Sequence, residues 1–149
     1  MTNQRRRTTT ILGVLACALL GASAAGAEQH SGTITVVATG LTSEQGEVLV
    51  QLASSEQDYD DDSAGYRMAT VKPRDGRATV VFEGIPYGEY AIKLFHDENS
   101  NQKLDIGWTG PEERYGFSNN ARGLVGPPAY EKARFTLATA EKTIEIEAR

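Results

Sequence analysis

Three residue types are scarce in this 149-residue sequence, and each scarcity removes a class of chemistry. Cysteine occurs once, as Cys17, tryptophan occurs once and histidine twice. A lone cysteine forms no intrachain disulfide, and without a second suitably placed histidine a nucleophilic triad lacks its base. There is also no glycine-rich phosphate loop and no apolar run of the ~20 residues that span a bilayer. Catalysis by thiols, triads or phosphate loops is therefore not expected.

The N-terminus has the pattern of a cleaved export signal. Basic Arg5–Arg7 precede the short apolar run Ile11–Ala22, and Ala25–Ala27 fits the small-x-small cleavage pattern. We expect residues 1–27 to be removed, with Glu28 first in the mature chain. The general secretory route fits better than twin-arginine export, because no phenylalanine-leucine pair follows the arginines.

Cys17 raises the alternative of a lipoprotein. Cleavage just before it would leave an apolar segment of about six residues, which is too short for an export signal. We therefore expect Cys17 to leave with the signal, so that the mature chain has no cysteine.

Removing 27 of 149 residues leaves one domain, residues 28–149. The signal holds three of the fifteen basic residues and none of the twenty acidic ones, so the remaining twelve and twenty give a net charge of −8. Such a surface disfavours nucleic acid and anionic membranes and suits cations. The expected location is the periplasm or the extracellular space.

Short segments rich in β-branched residues recur along the chain without any sustained helical repeat. The predicted strands are Thr33–Ala38, Glu47–Leu52, Arg67–Val71, Ala78–Phe82, Tyr90–Phe95, Ala133–Leu137 and Thr143–Ile146. They predict an all-β fold, a single antiparallel β-sandwich of about seven strands. Its main irregularity is one long ordered loop between the fifth and sixth strands, from His96 to about Tyr130; a shorter loop, Ser54–Tyr66, separates the second and third.

The segment Gly84–Tyr90 reads G-I-P-Y-G-E-Y between two apolar strands. We expect Pro86 to preset the backbone, Gly88 to adopt a left-handed conformation and Tyr90 to pack across a hairpin. This string resembles the turn of transthyretin-like, carboxypeptidase-regulatory and collagen-adhesin B-type sandwiches. The resemblance implies a transthyretin- or immunoglobulin-like arrangement of strands.

The long loop begins with oxygen-bearing side chains at alternating and then wider spacing, the pattern that calcium prefers. The five candidate calcium ligands are Asp97, Asn99, Asn101, Asp105 and the carbonyl of Lys103. Gln102 stands where a calcium loop normally has glycine, and Trp108 where a glutamate normally closes the shell, so we expect low affinity. The shell would be completed by Glu98, Glu112, Glu113 or the run Asp60–Asp62. The alternative is a loop whose side chains only cap its own backbone.

A second candidate surface lies at Tyr115–Gly123. Asn119 and Asn120 each donate and accept hydrogen bonds, so they either staple the loop to a sheet edge or face a ligand. Tyr115 and Phe117 are correspondingly core side chains or a stacking platform.

Three strings together, F-H-D-E-N-S-N-Q-K-L-D, Y-G-F-S-N-N-A and G-P-P, resemble a bacterial exported family catalogued as domain of unknown function 2141. The resemblance covers nearly all of residues 28–149. It implies a periplasmic or secreted β-sandwich with no established activity. Members often carry glycine at the position of Gln102.

The sequence therefore predicts an exported, non-catalytic binding module of the cell envelope with a low-affinity calcium loop and a protein or glycan partner. One alternative is a purely structural or assembly module without a ligand. Another is a hydrolase that uses Asp97 and Asp105 as its carboxylate pair.

Overall fold

The computed structural model describes residues 30–61 and 65–149. The predicted signal, Cys17 and Glu28 lie outside these residues. The strands are β1 (Ser31–Thr39), β2 (Glu47–Ala53), β3 (Arg67–Val71), β4 (Ala78–Pro86), β5 (Gly88–Asp97), β6 (Ile106–Gly107), β7 (Gly110–Pro111), β8 (Tyr115–Phe117), β9 (Phe135–Leu137) and β10 (Glu141–Glu147). Two short helices, α1 (Glu56–Asp60) and α2 (Tyr130–Ala133), and a 3₁₀ turn at Ser118–Asn120 complete the described structure.

The protein is β-rich as predicted, and each of the seven predicted segments overlaps a strand. The sixth is shorter than expected, because Tyr130–Ala133 is helical. Three short strands, β6, β7 and β8, lie within the predicted long loop, which is therefore partly regular structure.

One sheet has the strand order β10-β1-β4. β1 pairs antiparallel with β4 but parallel with β10, with Val36 opposite Ile144. The prediction of a purely antiparallel fold is wrong at this pair. The chain crosses from β9, in the other sheet, directly into β10, so the crossing and not a hairpin sets the direction of β10.

The other sheet has the order β3-β2-β5-β8, and β9 also pairs with β5. Every pairing in it is antiparallel. β5 is its central strand: β2 covers one side, while β9 at Gly88–Tyr90 and β8 at Lys93–Phe95 share the other.

Side chains from both sheets form one hydrophobic cluster. Alternation along the strands accounts for its membership, since Val48, Val50 and Leu52 point to the same face of β2. The most deeply buried aliphatic members are Ile34, Val36, Val48, Leu52, Ile85, Ile92, Leu137 and Ile146. A smaller cluster of Ala53, Tyr59, Ala91, Phe117, Tyr130 and Ala133 includes residues of the opposite face, because Ala53 and Ala91 neighbour inward-facing residues in sequence.

The predicted hairpin at Gly84–Tyr90 is absent. β4 and β5 belong to different sheets, so the segment carries the chain from one sheet to the other. The left-handed residue is Gly84, with φ of 66°, and not Gly88. Tyr90 donates a hydrogen bond from its hydroxyl to the Pro86 carbonyl at 2.8 Å, which braces the crossing. Within the described residues no helix is long and apolar enough to cross a membrane.

Gly46 begins the approach to β2, and its φ of 67° favours glycine. A Cβ at this position would collide with the Asp97 carbonyl, at the start of the acidic loop. Gly84 has nearly the same φ, but a Cβ there would meet nothing within 4 Å. A substitution at Gly84 therefore tests backbone strain alone, whereas the same substitution at Gly46 adds a steric collision.

We predict that Gly46→Ala lowers the free energy of unfolding by at least ~3 kcal/mol, whereas Gly84→Ala costs only ~1–2 kcal/mol of left-handed strain. Urea denaturation of both variants measures the difference. Equal losses would show that the contact between Gly46 and Asp97 contributes nothing.

Candidate functional site

The acidic loop, residues 97–105, starts at the last residue of β5. Asp97 is 1% exposed although it carries a carboxylate. Its two oxygens accept hydrogen bonds from the backbone N–H groups of Asn101 at 3.0 Å and Gln102 at 2.6 Å. The buried carboxylate thus folds the chain back on itself in a tight turn.

The other three side chains of the predicted calcium site converge on this turn. The amide nitrogens of Asn99 and Asn101 donate to the two carboxylate oxygens of Asp105, at 2.6 and 3.0 Å. The amide oxygen of Asn99 accepts from the Asn101 N–H at 3.0 Å, and that of Asn101 from the Lys103 N–H at 2.8 Å. The four side chains named from the sequence therefore lie in one turn, with the hydrogen bonding that the capping alternative expects.

Glu113 closes the loop from outside. One carboxylate oxygen accepts from the N–H of Glu98 at 2.9 Å and the other from the N–H of Asp105 at 3.1 Å. Two other candidates for the shell have different contacts: Glu98 accepts from the Ser43 hydroxyl, and the Glu112 carboxylate lies against Gly107. Glu113 is the glutamate best placed to complete a shell at Asp105.

The acidic loop contains two residues in the left-handed region, Ser100 with φ of 61° and Gln102 with φ of 62°. The position where calcium loops carry glycine is therefore left-handed here as well, although Gln102 occupies it. Among residues 30–61 and 65–149, no three or more His, Cys, Asp or Glu side chains form a group that could hold a metal ion. Amide and backbone oxygens would have to supply much of any shell.

His96 is fully buried beside the acidic loop. Its Nε2 lies 2.7 Å from the Gln45 carbonyl oxygen, and its backbone N–H donates to the Arg114 carbonyl at 2.7 Å. Among the described residues Nδ1 has no hydrogen-bond partner, and it lies 3.5 Å from a Glu98 oxygen. The side chain ties the turn before β2 to the end of β5.

The shorter predicted loop, between β2 and β3, contains α1. The hydroxyl and N–H of Ser54 donate to the Asp58 carboxylate at 2.6 and 3.1 Å, and these bonds hold the pKa of Asp58 below its usual value. Tyr59 is buried in the smaller cluster, where desolvation raises its pKa. Asp62 lies outside the described residues. Ser55 caps α1, since its hydroxyl accepts from the Asp58 N–H at 3.1 Å, and the Asp58 carboxylate reaches back to Ser54 just before the cap.

The segment that follows β8 contains the second predicted surface. Asn119 donates from its amide to the carbonyl oxygens of Lys132, Ala133 and Arg134 at 3.2, 3.2 and 2.8 Å. Asn120 accepts from the Glu147 N–H at 2.9 Å through its side-chain oxygen. Both asparagines have positive φ, a conformation that asparagine tolerates. This is the stapling geometry, and it joins the 3₁₀ turn to α2 and to β10.

Ser118 immediately precedes these two asparagines and was not singled out in the sequence. It is fully buried, and its hydroxyl accepts from the Ile92 N–H at 2.9 Å and donates to the Ala133 carbonyl at 2.5 Å. It thereby satisfies the hydrogen-bonding capacity of the β5 backbone at the position between β9 and β8. No sequence pattern marks this role, since one serine in a polar string looks like loop.

A groove of about 610 Å³ lies on the outer face of the second sheet. Leu49 and Phe95 lie on its floor, and Tyr115 and Phe117 of β8 line one side. Part of the acidic loop, Gln102–Leu104, lines it as well. The two predicted surfaces therefore meet at one concavity, with Tyr115 and Phe117 inside it and Asn119 and Asn120 outside its lining.

The sequence matches the model of the family described as "Uncharacterized protein conserved in bacteria (DUF2141)" over residues 36–145. That match spans well over half of the chain, so the chain belongs to this family, which confirms the resemblance. The matched segment begins within β1 and ends within β10, and so includes the acidic loop and the groove. No curated protein and no solved structure matches the chain.

We predict that Ser118→Ala lowers the free energy of unfolding by ~1–3 kcal/mol, because it leaves the buried Ile92 N–H without an acceptor. Ser31→Ala, at an exposed position of β1, is the matched control and should change stability little. Urea denaturation measures both. Equal effects in the two variants would contradict the role given to Ser118.

We predict that Gln102→Gly stabilises the protein by ~0.5 kcal/mol, since relief of left-handed strain exceeds the entropy cost of glycine. Lys103→Gly, whose backbone is not left-handed, should instead be destabilising. Thermal unfolding compares the pair, and a less stable Gln102→Gly variant would contradict the strain assigned to this position.

Proposed function

We propose that this protein is an exported, non-catalytic binding module, built as a two-sheet β-sandwich, whose binding face is the groove beside the acidic loop. The observation that carries the proposal is the groove itself, at about 610 Å³. Small-molecule sites usually measure roughly 300–1,000 Å³ and have a mainly apolar lining. The N-terminal export pattern supports a location in the periplasm or outside the cell, where a cell-envelope ligand would be met.

A low-affinity calcium site in the acidic loop is the second part of the proposal. In the predicted set, the amides of Asn99 and Asn101 donate to the Asp105 carboxylate, Asp97 accepts from the backbone of the same turn, and Glu113 accepts from the Asp105 N–H. Their oxygens are hard ligands of the kind that calcium takes. In the described residues no lysine or arginine forms an ion pair with Asp97 or Asp105, so a cation would meet uncompensated negative charge.

The acidic loop also connects the groove with the proposed calcium site. Gln102–Leu104 belong to the tight turn that Asp97 organises, and the same residues line the groove. A cation that held the turn would therefore also stiffen one wall of the binding face. This is a positioning role for calcium and requires no chemistry.

The hydrolase alternative is less well supported. Asp97 is buried and both of its oxygens accept backbone hydrogen bonds, so it is poorly placed to receive a proton from a substrate. His96 is also buried. The structural-module alternative has firmer support, because Ser118 fastens the long insertion to β5 and Asn119 ties it to the end of α2.

We predict that 10 mM calcium raises the unfolding midpoint by about 5 °C relative to chelator. A site with a Kd of ~1 mM would contribute about 1.4 kcal/mol at this concentration. Asp105→Asn keeps the shape of the side chain but removes its charge, and should abolish the shift. Asp75→Asn, in a distant turn where asparagine tolerates the positive φ, is the matched control.

A calcium shift that persists in Asp105→Asn would place the cation elsewhere on the acidic surface. The absence of any shift at 10 mM would sink the calcium site and leave the acidic loop as self-capping structure.

A further inference from the structure

We propose that the groove binds a monomeric amphiphilic carboxylate of the fatty-acid type, with its chain along the sheet and its carboxylate at Lys103. This inference rests on the proposed binding function and specifies its ligand class. It draws on three properties of the groove: its apolar floor, its charge and its length.

The floor and sides of the groove are apolar where sheet surfaces are usually polar. Leu49 and Phe95 stand on the face opposite the main core. Met68 is 51% exposed and Ile106 65% exposed at the margin. A ligand with an apolar body would remove this surface from water, whereas a glycan would leave most of its hydroxyl groups facing carbon.

The charge of the lining is opposite to that of the protein. Of the described residues that line the groove, none is Asp or Glu and two are lysines, although residues 28–149 carry a net charge of −8. A lining that excludes carboxylates on so acidic a chain complements an anion and not a cation.

The two lysines differ in availability. The Lys93 ammonium donates to the Tyr59 carbonyl and lies 5.1 Å from the centre of the Tyr59 ring, so mainly its methylene stem is offered to the groove. The Lys103 side chain is exposed and, within the described part of the chain, makes no hydrogen bond or ion pair. Lys103 is therefore the cation that can meet a ligand carboxylate.

The two aspartates of the acidic loop are turned away from this lysine. Asp97 directs both oxygens at backbone N–H groups, and Asp105 directs both at the asparagine amides. The acidic loop thus keeps the charges of its two aspartates inside its turn while it presents Lys103 outward.

The groove crosses four strands, from Met68 of β3 to Tyr115 of β8. Three interstrand steps of ~4.8 Å make it about 14 Å long in this direction. An extended chain of about twelve carbons, whose ~1.5 Å C–C bonds each advance the zigzag by ~1.25 Å, matches that length. Dodecanoate is accordingly the probe of choice.

The test is isothermal titration calorimetry with dodecanoate below its micelle concentration. The protein is produced from the full chain in a bacterial host and used as the host processes it. We expect saturable one-to-one binding that weakens at least tenfold in Lys103→Glu and is unchanged in Lys72→Glu, an equal charge change at an exposed residue outside the lining. Butyrate should not bind, and dodecyltrimethylammonium should bind more weakly than dodecanoate.

Failure of dodecanoate to bind, or equal binding to Lys103→Glu, would overturn this inference. The inference would also be overturned if the protein sedimented with phosphatidylglycerol vesicles but did not bind monomeric dodecanoate, or if the groove were buried in a protein dimer. If calcium still raised the unfolding midpoint after such a result, the proposed binding module would be retained and only the ligand class would be rejected. Loss of both responses would reject the proposed function as well.

Discussion

The second edge of β5 is the constraint on which the rest of the structure depends. β2 pairs with one edge of this strand from Ala91 to Asp97, and the other edge would be left with buried, unpaired backbone groups. Four different partners share that edge: β9, the Ser118 hydroxyl, β8 and the Arg114 carbonyl. The insertion after β5 therefore completes the sheet that produced it.

The groove follows from the same arrangement. β8 is only three residues long, so it extends the sheet at Tyr115 and Phe117 and then turns away through the 3₁₀ segment. The acidic loop covers the sheet from the other direction, held by Asp97 at the end of β5. A concavity is left between β8 and the acidic loop, and the outer faces of β2 and β5 form its floor.

Local patterns predicted much of this structure and long-range partnerships did not. Alternating β-branched residues located all seven long segments, and the spacing of Asp97, Asn99, Asn101 and Asp105 identified side chains that do converge. The hairpin at Gly84 was wrong because proline and glycine mark a change of direction but not the sheet that the next strand joins. The parallel pairing of β10 was missed for a similar reason, since it unites residues more than one hundred positions apart.

Ser118 shows where sequence reasoning stops in this fold. Asn119 and Asn120 drew attention because amides are conspicuous, yet the buried serine beside them makes the contact that β5 requires. The groove is equally invisible in sequence, since Leu49, Phe95 and Tyr115 come from three strands that meet only in the folded sheet. In the sequence Leu49 and Phe95 have the pattern of ordinary strand residues, and Tyr115 stands in a predicted loop. Only the pairing order β2-β5-β8 places them side by side on one face, and it is that order which turns a half-buried strand residue into part of a binding surface.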